Sequence, residues 1–118
     1  MWEHAGVQRS GRSLRAAAAA LDEIEAALDS QALAQRTTRY NGELVQALEN
    51  HFLVATARCV VEGALRRTES RGAHYREDHP ATDDAAWLRH LLVRRGPAGL
   101  EWDSAPVDLS VMHPGEAR

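Results

Sequence analysis

The stretch Glu69–Pro80, ESRGAHYREDHP, crowds groups able to do chemistry into a dozen positions: His74 and His79, Arg71 and Arg76, Glu69, Glu77 and Asp78. Imidazole and carboxylate together can ligate zinc or iron, so His74, Glu77, Asp78 and His79 form one candidate set. The spacing argues against it. A zinc-protease helix carries its two histidines four residues apart on one face, whereas Gly72 and Pro80 bracket a segment not expected to be helical. His74 beside an acid could serve acid–base catalysis, but no nucleophile or oxyanion donor stands at an interpretable distance. The remaining reading is an interface. Arg71 and Arg76 pair with Glu77 and Asp78, fix the chain as it leaves a helix, and offer a tied-down charged loop to a partner.

The elements that must position this loop are helical. Within Ser13–Ser30, Leu14, Leu21, Ile24 and Leu28 recur at helical spacing, and the alanines 16–20 fill the same face. Ser10 or Ser13 caps the start and Asp29–Ser30 interrupts the pattern. A second, longer helix is expected from Asn41 to about Ser70. Val45, Leu48, Phe52, Ala55 and Cys59 make one apolar stripe on it, and Leu53, Ala57, Val60 and Ala64 a second. Two stripes predict a helix between two neighbours. Arg66 and Arg67 suit the negative pole at its end, and Gly72 the left-handed cap. Thr82, Asp83 and Asp84 start a helix of a turn or two, and the chain then forms a hairpin turning at Gly96–Gly99, with Leu100 and Trp102 on one face. The tail SVMHPGEAR is expected to be loose at its end. The expected fold is all-α: a three-helix bundle over residues 1–89, with a small C-terminal β-hairpin and tail over 90–118.

Composition removes whole classes of function. At 118 residues the chain is one domain, large enough to fold without disulfide or metal. A net charge of −3 with acids and bases interleaved provides no basic face for nucleic acid. No run approaches the roughly twenty apolar residues that span a bilayer, so no membrane insertion is expected, and a cytoplasmic location is the default. Cys59 is the only cysteine and sits in an apolar run, which favours a small buried residue over a nucleophile. Trp2, Trp87 and Trp102 are read as packed within the domain rather than as partner anchors, and His4 and His113 as solvated.

The span from Ala47 to Val93 resembles the C-terminal domain of the succinate dehydrogenase/fumarate reductase flavoprotein family, which includes L-aspartate oxidase. Glu69-Ser70-Arg71-Gly72-Ala73-His74, then Arg76-Glu77-Asp78 and Pro80, match that family's ESRGAH-RED-P pattern. So do Asp83-Asp84, Trp87-Leu88 and His90, and MWEHAGVQRSG is similar to the segment that opens the domain. The departures are His51, Cys59 and Arg12, which touch local packing only. The resemblance implies a spectrin-repeat-like bundle packed on a flavin-binding domain, in enzymes that oxidise succinate, reduce fumarate or oxidise L-aspartate by hydride transfer with FAD. The flavin and substrate residues of that family lie in upstream domains, so no catalytic, cofactor or metal residue is expected in this chain. The implied partners are the flavin-binding domain of a parent protein and an iron–sulfur subunit, in a complex at the cytoplasmic face of the inner membrane. Arg71, His74, Arg76, Glu77 and Asp78 are then the expected interdomain or subunit contacts. The rival readings are a free-standing helical interaction module and a small metal-dependent enzyme.

Overall fold

A computed structural model describes residues 1–111. Two long helices carry the molecule, α2 (Gly11–Asp29) and α3 (Gly42–Arg66), with a single turn α1 (Trp2–Ala5) before them and another, α4 (Asp84–Trp87), after them. Ser10 caps α2 through a reciprocal box: its hydroxyl accepts the Ser13 N–H, and the Ser13 hydroxyl accepts the Ser10 N–H at 2.9 Å. Both candidate caps therefore act together. Asn41 caps α3, its side-chain oxygen accepting the Leu44 N–H at 2.9 Å while its amide donates to the Thr37 and Gln35 carbonyls. Arg58 of α3 reaches Asp22 and Glu25 of α2, and the exit of α3 lies beside Gly11, so the two helices run antiparallel.

Their seam is built from Leu14, Ala17 and Leu21 on α2 and Val54, Val61 and Ala64 on α3, all buried. Ala5, Ala18, Leu28, Ala57 and Leu65 pack around it. Small side chains at 17, 18, 57 and 64 let the backbones approach, which is the role of part of the alanine run. The two predicted stripes on α3 do not both find neighbours. Val45 is 55% exposed, Phe52 68% and Leu53 65%, and Val54 and Val61 hold the seam instead. Because α3 is apolar over much of its circumference, periodicity could not identify the arc that meets α2.

The all-α assignment is corrected by four strands. Helix accounts for 47% and strand for 20% of the described residues, the strands lying in two sheets of two, so the chain is a mixed fold with two long helices rather than a three-helix bundle. β1 (Gln8–Arg9) pairs in parallel with β2 (Tyr75–Arg76), joining the start of the chain to the middle of the charged stretch. Two residues per strand leave no alternation to read, which is why this pairing was invisible in the sequence. β3 (Arg89–Gly96) and β4 (Gly99–Pro106) form the antiparallel hairpin, closed by Pro97–Ala98 with Gly99 at φ +128°. The hairpin docks through Trp102, whose ring lies on Gly63 of α3. A Cβ at Gly63 would sit 3.2 Å from that ring. The indole N–H donates to Glu62 at 3.1 Å and Arg66 stacks 5.0 Å from the ring centroid. Trp87 is likewise held within the chain, by Thr68 and Arg67, whereas Trp2 is 90% exposed. The end of the tail and His113 lie outside the described residues.

Candidate functional site: a buried arginine–carboxylate knot

The last carbonyls of a helix lack intrahelical donors and carry the negative end of its dipole. In α3 they are met from a distance. Arg76, 3% exposed, sends its Nη1 to the carbonyls of Ala64 (2.8 Å), Leu65 (3.3 Å) and Arg67 (3.3 Å). The other edge of the same guanidinium grips Asp78 with both donors, Nε to Oδ1 at 2.8 Å and Nη2 to Oδ2 at 2.7 Å. Asp78 Oδ2 in turn accepts the N–H of Gly11, the first residue of α2, at 2.9 Å. The negative end of one helix, a cation, an anion and the positive end of the next helix thus alternate in sign. Glycine at position 11 leaves room for this contact, since a Cβ there would lie 2.9 Å from Asp78 Oδ2. The Arg76 bonds hold the Asp78 carboxyl well below the usual aspartate range, outweighing burial, and the Gly11 N–H adds to them.

A second node surrounds Glu69, which is fully buried. Arg71 binds it with two parallel bonds of 2.9 Å, Arg67 adds a third to Oε1, and the Asp83 N–H donates to Oε2 at 2.9 Å. Burial pushes this carboxyl up. The bonds from Arg71, the Asp83 N–H and Arg67 overcome that and bring it down to about 2. Arg71 also reaches Asp84 at 2.6 Å, and Arg67 donates to the carbonyls of Trp87 and Arg89, so the node ties α3 to the short helix and the hairpin. Between the nodes, Ser70 accepts the Arg76 N–H at 2.9 Å and donates to the His79 carbonyl at 2.8 Å, and Thr82 donates to the Ser70 carbonyl. Among the described residues no buried side-chain polar atom lacks a partner.

The structure brings Arg71, Arg76 and Asp78 into this knot and leaves the other two candidates outside its centre. His74 sits at the edge, its Nδ1 3.4 Å from Arg9 Nη1 and its Nε2 3.4 Å from the Arg67 carbonyl. Burial, ahead of the surrounding arginines, lowers the affinity of His74 for a proton. The Glu77 side chain is exposed, and only its backbone N–H is engaged, by the Arg9 carbonyl at 2.9 Å. Gly72 has φ +57°, but in the tight turn where Arg71 and His74 exchange backbone bonds, not as a helix cap; α3 has already ended at Arg66. Sequence reasoning gave Glu69, Ser70, Arg9 and Gly11 no role in the site and read Arg67 only as a charge suited to the end of α3. Glu69 and Ser70 carried a signal, as the first residues of the dense stretch. Cys59 is half-buried rather than buried. The metal set does not form: no three His, Cys, Asp or Glu converge among the described residues, and both Asp78 oxygens are taken by Arg76.

The sequence profile of the family described as "Fumarate reductase flavoprotein C-term" matches residues 1–118. The fumarate reductase flavoprotein subunit of Helicobacter pylori is 37% identical over 109 residues, 92% of this chain and 14% of its own length. That of Mycobacterium tuberculosis is 35% identical over 113 residues, 95% of this chain and 19% of its own. L-aspartate oxidase of Streptomyces coelicolor is 41% identical over 97 residues, 82% of this chain and 16% of its own. The chain therefore spans less than a fifth of the length of these relatives. A variant of the FrdA chain of E. coli quinol fumarate reductase superposes with a TM-score of 0.91 at 25% identity, covering 98% of this chain and 20% of that one. With its charged knot, paired helices and hairpin all inside the matched span, this chain belongs to the fumarate reductase flavoprotein C-terminal family.

Proposed function

We propose that the chain serves as the C-terminal domain of an FAD-dependent succinate dehydrogenase/fumarate reductase-type oxidoreductase, where it braces the flavin domain and contacts the electron-transfer subunit. The observation that carries this reading is the superposition of 98% of the chain on one fifth of a fumarate reductase flavoprotein. The open arc of α3 supports it. Val45, Leu48, Phe52, Leu53 and Val60 are each 46–68% exposed on one helix, an apolar area unusual for a surface that stays in water.

In this reading residues 1–118 act as one unit and the site residues divide their labour. Arg76 works from inside and Asp78 from the protein's edge, together holding the end of α3 against the start of α2. Arg71, His74 and Glu77 stand nearer the surface, where they meet the neighbouring domain or subunit. The residues present do not fit FAD. Among the described residues the only parallel pairing is two residues long, with no glycine-rich turn leading from a strand into a helix, so no step of flavin chemistry is placed on this chain. No helix among the described residues is long and apolar enough to cross a membrane.

The natural product of the gene tests the reading. It should migrate well above 13.0 kDa, carry bound flavin and turn over succinate, fumarate or L-aspartate. A flavin-free product of 13.0 kDa would refute it.

A further inference from the structure

The arginines of the knot are not equally matched. Arg67 and Arg71 share Glu69, Arg71 also holds Asp84, and Arg76 holds Asp78. Arg9 has no carboxylate partner among the described residues. It is half-buried, its Nε donates to the Gly6 carbonyl at 2.9 Å, its Nη1 faces His74, and its Nη2 has no hydrogen-bond partner among the described residues. Strand pairing through β1 and β2 holds its backbone in place. Burial, and then the nearby Arg76 charge, make its protonated state less favourable than that of a free arginine.

Arg9 opens into a groove of about 480 Å³ between α3 and the hairpin. Arg67, His74 and His90 also line this groove, no aspartate or glutamate does, and the rest of the lining is mainly apolar, including Val60 and Trp102. Acids near the lining positions in sequence are engaged elsewhere, Glu62 by Trp102, Glu69 by Arg67 and Arg71, Glu101 by Arg94, and Asp103 by the Ser104 N–H. A partly desolvated, preorganised guanidinium without its anion, above an apolar floor, fits a carboxylate delivered on an apolar peptide.

We propose that the groove seats an aspartate or glutamate side chain, flanked by apolar residues, from the flavin-binding part of the same longer polypeptide, with the Nη2 edge of Arg9 as its main donor. This rests on the reading of the chain as one domain of a longer flavoprotein. The Coulombic match supplies orientation and the apolar floor supplies contact area. The groove is continuous with the open arc of α3 through Val60, so a single docked surface covers both.

Substitution R9K in the natural gene product tests this. A zero-length carbodiimide joins an amine only to a carboxylate in contact with it, and mass spectrometry of the digest locates the joint. Position 9 should be joined to an aspartate or glutamate outside residues 1–118. A joint only to acids of this chain, such as Glu77, or no joint at all, in a product that carries flavin, overturns the proposal and leaves the domain reading standing. A flavin-free product of 13.0 kDa removes both. Titration of the flavin-bearing product with sodium succinate or sodium phosphate separates the remaining source. A saturable response of the His74 ring without a cross-link assigns the seat to free anions and overturns the peptide occupant.

Discussion

The two ends of α3 are anchored by different chemistry. At the N-terminus the groups are mostly neutral: the buried Asn41 amide caps the first turn and holds the Gln35 and Thr37 carbonyls, and Glu43 accepts the Ala34 and Gln35 N–H groups at 3.1 and 3.0 Å in exposed bonds. At the C-terminus two ionised groups, Glu69 and Arg76, are withdrawn from water and each is bound by several partners. A neutral cap that is lost costs its hydrogen bonds, and water replaces those that are exposed. A buried ion that loses its partner has no such exchange available. The same helix therefore has one end that tolerates substitution and one that does not.

Arg76→Ala breaks the comparison most severely. It strands the α3 carbonyls of Ala64, Leu65 and Arg67, a buried acceptor without its donor costing about 1–3 kcal/mol, and takes the counter-charge from Asp78, whose side chain is 40% exposed and falls back on water. Urea unfolding followed by circular dichroism should show that loss. Gly11→Ala comes next. The added methyl meets Asp78 Oδ2 at 2.9 Å and must displace the Arg76–Asp78 pair. Overpacking of this kind costs about 1–3 kcal/mol, set against a gain in helix propensity of up to about 1 kcal/mol. The midpoint should fall.

Asn41→Ala should lower stability by about 2 kcal/mol, the upper end of N-cap losses, because the buried amide also holds the Gln35 and Thr37 carbonyls. Glu43→Gln should have the smallest effect, a midpoint shift close to the scatter between repeat unfolding curves, since its bonds to Ala34 and Gln35 are exposed. If Glu43→Gln matched Arg76→Ala, the contrast between the two ends would be wrong.

Acid sharpens the contrast. The Glu69 carboxyl falls from 4.5 to about 2 on folding, and that of Asp78 also falls from its ordinary 3.8. A depressed carboxyl contributes stability that is fully present above its unfolded value and is lost as pH drops through the folded one. The Glu69 contribution is thus complete above about pH 4.5, falls as pH approaches 2 and is lost below it, and that of Asp78 persists to lower pH still. Urea midpoints across that window should fall steeply for the native chain and less steeply for Glu69→Gln.

Much of the local architecture was readable before any coordinates. Ser10, Ser13 and Asn41 announce helix starts because a short polar side chain reaches its own backbone two or three residues on. The hairpin was legible from Leu100 and Trp102 alternating with charged residues beyond a Gly–Pro turn. The site was half legible. Its charge density marked Arg71, Arg76 and Asp78, but the pairing did not follow the order of the residues. Glu69, assigned no partner from the sequence, is its most buried member, and Glu77, expected inside the network, is exposed.

What the sequence by itself determined is therefore what acts over a turn or two: caps, helical spacing, the hairpin turn, and the family motif that those residues spell. What only the tertiary structure decided is which apolar arc of α3 meets α2, that Arg76 caps a helix twelve residues upstream, that Gln8–Arg9 pairs with Tyr75–Arg76, and that Arg9 alone lacks an anion among the described arginines of the knot. These outcomes depend on which groups leave water together. A charge finds its partner through burial and the packing of distant segments, and neither quantity is a property of a short window of residues.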